Sequence, residues 1–249
     1  MEPVSTDFLL ETCLLAGKIM MESSAEMYRV EDTMNRIALA CGNYRLVSYV
    51  TQTGLFVGLD GTSTIRMVQI TRRSINLEKV SKVNDLSRQF VAGTLTPTEL
   101  LQKLQQLDQE KIFFPMSWQI ISAAVISGTL MILFGGGWSD LLLTTVIGGA
   151  AYAVYYYSVY VFRIKFLSEF FAALLIGVAA ILSVKLGLGT NQDMIIIGCV
   201  MPLVPGVQIT NAIRDLLAGH YLSGVSRGTE ALITATMIAF GIAIVFQIF

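Results

Sequence analysis

Five long apolar runs follow Pro115, and they constrain the fold more than any other feature of this chain. Ile112–Ser139 and Leu141–Phe162 carry no charge, and a third run lies between Glu169 and Lys185. A fourth extends from Met194 to Ile213 and a fifth from Ala231 to Phe249. A helix needs about 20 mainly apolar residues to cross the hydrocarbon core of a bilayer. Backbone groups in lipid must be satisfied within the segment, so such runs are read as helices. The expectation is a multi-pass α-helical membrane protein with spans near 116–135, 141–162, 167–186, 193–209 and 230–248. The third span is short and borrows its end from the snorkelling stem of Lys185.

The charges divide the chain in two. Of 35 Asp, Glu, Lys and Arg residues, 25 precede position 116. This predicts an N-terminal water-soluble domain over 1–112 and a transmembrane domain over 113–249. The first part holds 12 basic and 13 acidic residues, which gives no nucleic-acid signature. No apolar run near the start suits a cleavable leader, because Asp7, Glu11, Lys18 and Glu22 interrupt it. Lys and Arg set orientation through the short loops. Lys111, Arg163, Lys165, Arg214 and Arg227 fall on one side, and Lys185 alone on the other. The soluble domain is therefore expected in the cytoplasm and the C-terminus outside, in a plasma membrane. Trp118, Trp138 and the Tyr155–Tyr157 and Tyr160 cluster suit interfacial belts.

The soluble part reads as α+β. Phe8, Leu9, Leu14, Leu15, Ile19 and Met20 recur at helical spacing, and a turn at Ser23–Ser24 follows. Met27, Val30, Met34, Ile37 and Ala38 form the apolar stripe of a second helix that ends at Gly42. Arg45–Val50, Thr53–Leu59 and Thr64–Thr71 are rich in β-branched and aromatic residues. Asp60-Gly61 marks a hairpin between the last two. Helices are expected over Leu77–Ala92 and Pro97–Gln109, the latter with Thr96 as N-cap and Glu99 at the third position.

Three features can carry chemistry. Met201-Pro202-Leu203-Val204-Pro205-Gly206 interrupts the fourth run. Two prolines three apart remove two amide donors and clash with preceding carbonyls, so the helix should break there. A discontinuous helix exposes amides and carbonyls that hold substrates in many transporters, although a purely structural kink explains the same residues. Next comes Thr210-Asn211-Ala212-Ile213-Arg214-Asp215. Thr210 and Asn211 read as helix-capping side chains, and Arg214 as a bidentate partner for a substrate carboxylate. Alternatively, Arg214 is a loop base paired with Asp215. The third feature is Glu169 and Glu230, which open the third and fifth spans. With Asp215 they are the candidate proton carriers, since ionisable groups at membrane depth are costly. At headgroup level they would only favour their helix N-termini. Asn191 and Asp193 on the outer side form a possible exit gate, and His220 reads as a solvated loop residue. In the soluble part, Glu31 and Asp32 suit a helix start. No metal or cofactor is expected. Cys13, Cys41 and Cys199 are too scattered for a disulfide framework or a zinc site, and no Gly-rich phosphate loop exists for ATP.

Glu26-x-Tyr28-Arg29-Val30-Glu31-Asp32-Thr33, then five spans, then Pro202-Leu203-Val204-Pro205-Gly206 and Thr210-Asn211-Ala212-Ile213-Arg214-Asp215-Leu216 resemble the threonine/serine exporter family over nearly the whole chain. That resemblance implies secondary export driven by an ion gradient. Full-length members have about twice as many spans, so this chain looks like the large subunit of the split form, which works with a small membrane partner subunit. The split pair is linked to succinate export in some bacteria, which adds dicarboxylates to amino acids as substrate candidates. The odd span number and the lack of an internal repeat agree that a partner chain or a homo-oligomer completes the transporter.

Two other classes fit the residues less well. A membrane-anchored ligand-sensing regulatory protein would use the spans as scaffold, but a scaffold has no need of Pro202, Pro205, Gly206 and Asn211 together. A membrane hydrolase lacks any readable nucleophile–base pair.

Overall fold

The chain folds mostly into helices, with one small sheet, as the apolar spacing dictates. The structure is a computed structural model and describes residues 5–42, 44–110 and 114–249. Lys111 and the expected boundary at 112/113 lie outside the described residues. Two compact units result. The first holds the chain before Phe114 together with Ile209–Gly228, and the second holds Phe114–Gln208 and Thr229–Phe249.

In the first unit, α1 (Thr6–Glu22) and α2 (Met27–Gly42) form a helical hairpin around a turn in which Ser24 adopts a left-handed conformation (φ 63°). Strands β1 (Leu46–Val50), β2 (Gly54–Leu59) and β3 (Ile65–Gln69) follow in antiparallel order β1-β2-β3. Leu46 faces Leu59, and Val57 faces Arg66. The turn between β2 and β3 holds Gly61 at φ 79°, the positive value that made Asp60-Gly61 a hairpin signal. Helices α3 (Leu77–Val91) and α4 (Pro97–Gln109) complete the layer. The Thr96–Glu99 capping box forms as expected, each side chain bonding the other's backbone amide at 3.3 and 2.8 Å. The core joins Leu9, Met20, Met34, Leu55, Phe90 and Leu104. Packing is tight at Gly17, where an added Cβ would stand 2.6 Å from Leu55 Cδ2 and 2.7 Å from Met34 Sδ.

The second unit contains α5 (Met116–Leu133), α6 (Leu141–Phe162), α7 (Lys165–Lys185) and α8 (Gln192–Val200). Past a 3-10 turn at Met201–Leu203, the chain continues as α9 (Gly206–Leu217) and α10 (Tyr221–Ile248). Small residues let these helices approach. At Gly198 of α8, an added Cβ would lie 2.7 Å from the Ser127 carbonyl of α5. Among the described residues, four helices are long and apolar enough to cross a membrane. The bent pair Gln192–Leu203 and Gly206–Leu217, counted as one broken span, makes up to five.

The break falls where the doubled proline predicts. Val204 is extended (ψ 130°), and the chain bends by 58° between the two helical pieces. The pyrrolidine ring of Pro205 excludes Val204 from the helical region, whereas Pro202 sits at the tolerated start of a turn. The last helix begins at Tyr221, well before Glu230. A hydropathy reading stops at a charge, but the helical hydrogen-bond ladder does not. Asn191 accepts from the Asp193 and Met194 amides and so caps α8. Asp140 lies buried beside that loop and accepts from Thr190 N, Thr190 Oγ1 and Asn191 N at 2.9, 2.8 and 3.0 Å.

Candidate functional site

The helix break and the ionisable residues of the second unit meet at the start of α7. Glu169 is one turn into that helix, directly above Lys165 at the i,i+4 spacing. Lys165 Nζ lies 3.9 Å from Glu169 Oε1 and 3.5 Å from Glu230 Oε1 of α10. With the Gln208 amide oriented to satisfy its neighbours, Gln208 accepts from Lys165 Nζ at 3.2 Å. The same amide donates to the Pro205 carbonyl, also at 3.2 Å. One ammonium thus joins both expected proton carriers of this unit to the broken helix. Glu169 is almost sealed (2% exposed), whereas the Glu230 side chain keeps 23% of its surface. The Thr234 hydroxyl, also buried, stands beside the Glu169 carboxylate.

Asn211, Arg214 and Asp215 belong to the first unit, where they close on the turn between α1 and α2. Asn211 Nδ2 donates to the Ser24 carbonyl at 2.9 Å. Arg227 Nη2 donates to the Ala25 carbonyl at 2.7 Å, and its Nε faces Asp215 Oδ2 at 3.1 Å. Asp215 Oδ1 accepts from Met27 N at 3.0 Å. This carboxylate is fully buried and serves as N-cap of α2 from a distant part of the sequence, which suits the positive end of a helix. Arg214 Nη1 bonds Glu26 Oε1 at 2.6 Å, and Glu26 also holds Arg29 at 3.0 Å. Arg214 is therefore paired with Glu26, and Asp215 with Arg227, instead of with each other as the alternative reading had it. Thr210 and Asn211 sit inside α9 rather than capping it.

His220 is drawn in as well, with Nε2 at 3.7 Å from Glu31 Oε2. Burial holds the Glu31 carboxyl above the usual glutamate range, and the neighbouring imidazole works against that shift. Asp32 keeps to its own helix in an exposed pair with Arg36.

Reading the residues alone left several participants unassigned. Lys165 reads as a loop base, although its i,i+4 spacing to Glu169 is a visible signal. Glu26 stood in a quoted motif without a role. Gln208, Thr234 and Arg227 gave no local signal, because their partners are distant in sequence.

Among the described residues, no group of three His, Cys, Asp or Glu side chains is placed to hold a metal ion. Long apolar helices, one broken at a proline beside a buried charge cluster, define a multi-pass membrane protein of the transporter class. A family model described as "Putative threonine/serine exporter" matches residues 11–249, and the chain belongs to that family. No curated protein and no solved structure matches it.

Proposed function

We propose that this chain exports threonine or serine across the plasma membrane, as the large subunit of a split exporter completed by a small membrane partner or by further copies of itself. The observation that carries this reading is the Lys165–Glu169–Glu230 cluster bonded through Gln208 to the break at Pro205. A carboxylate as buried as Glu169 in an apolar helical unit is costly, and such groups often mark a transport path. In this reading the bilayer is crossed five times, with the bent pair as the fourth span. The N-terminal domain is cytoplasmic and the C-terminus is outside.

Pro202, Pro205 and Gly206 shape the substrate path, and an ion gradient drives export through Glu169 and Glu230. Asn211, Arg214 and Asp215 act on the turn before α2 and hold the first unit together. Dicarboxylates such as succinate are the competing cargo. The test is efflux of labelled threonine, serine and succinate from cells that carry or lack the gene, with its candidate partner supplied. Threonine and serine efflux should depend on the gene and fall when Pro205 becomes alanine. Equal efflux of all three compounds with and without the gene would refute the reading.

A further inference from the structure

One face of the β1-β2-β3 sheet turns Leu55 and Val57 into the core of the first unit. The other face is bare. Val47 and Tyr49 of β1, Phe56 of β2, and Ile65 and Met67 of β3 stand on it, with Ile65 and Met67 each 71% exposed and Tyr49 58% exposed. Single exposed apolar side chains are ordinary on a protein surface, but a contiguous group is not. These side chains leave roughly 500 Å² of apolar surface open, near the upper end of the largest patch on a typical monomer. We propose that this face packs against the same face of a second copy of the chain, related by a two-fold axis. The inference stands apart from the export reading, because the patch needs cover whatever the cargo.

Strand register decides which side chains meet. Val47, Gly58 and Ile65 form one row across the three strands, and Tyr49, Phe56 and Met67 form the next. The second row is the taller on every strand, and the first is lowest at Gly58, which has no side chain. A two-fold axis lying across the strands, between the two rows, sets each row of one copy on the other row of the second copy. Tyr49 then meets Val47 of the second copy, Phe56 meets Gly58, and Met67 meets Ile65. Symmetry repeats each contact, as an isologous interface requires. The Tyr49 and Phe56 rings already pack together with centroids 6.3 Å apart, so the central aromatic anchor is preformed.

The rim agrees with this arrangement. Arg45 and Asp60 lie at one end of the face, where Asp60 N donates to the Arg45 carbonyl, and Thr51, Gly54 and Gln69 lie at the other. The same axis sets the charged end of one copy on the uncharged polar end of the second, so like charges stay apart. An apolar centre with a polar rim is the anatomy of a protein interface. With its rim the face reaches the order of 800 Å², the area each partner buries in a standard interface. A lipid surface suits the face less well, because it would draw on unpaired bases around the patch. Here Arg45 is paired with Asp60 at 3.7 Å and Arg66 with Asp7 at 2.9 Å.

The test uses the full-length chain in liposomes. Resonance energy transfer between donor- and acceptor-labelled copies, followed as added lipid dilutes them, measures self-association. Tyr49→Glu and Met67→Glu should each weaken it about tenfold or more, because symmetry buries two carboxylates per pair. Both variants should melt as wild type does, since the two side chains are exposed in the single chain. Ile65→Cys and Met67→Cys proteins, mixed and treated with a short thiol cross-linker, should join faster than either variant joins itself. Cys13, Cys41 and Cys199 are buried and leave that signal clear. Faster joining within one variant than between the two would overturn the pairing of rows. Unchanged energy transfer in both glutamate variants, or a wild-type chain that stays single at every dilution, would overturn the proposal. Protection of the Met67→Cys thiol only when a different membrane subunit is added would do the same and assign the face to that subunit. No readout here measures transport, so its failure leaves the exporter reading to the efflux test.

Discussion

Replacing Asp215 by alanine removes the one carboxylate that both caps α2 and neutralises a buried arginine. Asp215 is fully buried and Arg227 is 5% exposed. The substitution deletes the bond from Met27 N and removes the Asp215 carboxylate that faces the Arg227 guanidinium. Breaking a buried ion pair from one side costs about 3–5 kcal/mol, because the remaining charge stays desolvated. At roughly 2–4 °C per kcal/mol, melting should fall by about 10 °C. Asp215→Asn keeps an acceptor for Met27 N and should lose less than alanine, by about 1 kcal/mol or more. Asp215→Ala with Arg227→Met removes the stranded cation, so the double variant should be more stable than the sum of the single losses implies.

Unfolding can be read by a thiol-reactive fluorogenic dye in detergent. Cys13 and Cys41 are buried in the first unit, and burial pushes both thiols up, Cys41 to about 11. They react only when that unit opens. A Cys199→Ala background confines the signal to it. Melting of Asp215→Ala within the range of an exposed control, Asp193→Ala, would refute the clasp. Strict additivity in the double variant would refute the Asp215–Arg227 coupling.

Three further outcomes are expected. Glu31 is held protonated to higher pH in the folded chain than in the unfolded one. Its contribution is therefore full below the ordinary glutamate range and is lost as pH rises through the raised value. The stability of wild type relative to Glu31→Gln should decline over that rise, and a difference that grew with pH would contradict it. Gly17→Val should cost about 1–3 kcal/mol by overpacking against Leu55 and Met34, measured by the same melting assay, and an unchanged melt would show that the contact yields freely. Thr96→Ala should cost about 1 kcal/mol by removing the α4 capping box, read from denaturant unfolding of the first unit's thiol signal.

Much of the architecture was legible in the residues because it is decided locally. Thr96, Pro97 and Glu99 cap α4 within four residues of one another, and Gly61 satisfies a turn that few other residues tolerate. Pro205 acts on its immediate neighbour, so the break at Val204 follows from two adjacent positions. The apolar runs of α5 and α6 need only length and absence of charge to become helices. The start of α10 was less legible, because Arg227 and Glu230 look like the end of a span until their partners are known.

Apart from the i,i+4 spacing of Lys165 and Glu169, the pairing of charges was not legible. Glu26 and Arg214 stood in two separate motifs 188 positions apart, and only the fold closes them to 2.6 Å. Asp215 follows Arg214 in the chain, yet the helix points the two side chains to different partners. Lys165 and Glu230 read as loop base and span end until α7 and α10 bring them together beside Gln208. The sequence by itself determined the helices, their caps and the proline break, since each rests on steric and hydrogen-bonding rules among near neighbours. Only the tertiary structure decided which ions meet, because an ion pair depends on the distance between side chains, and chain order leaves that distance open.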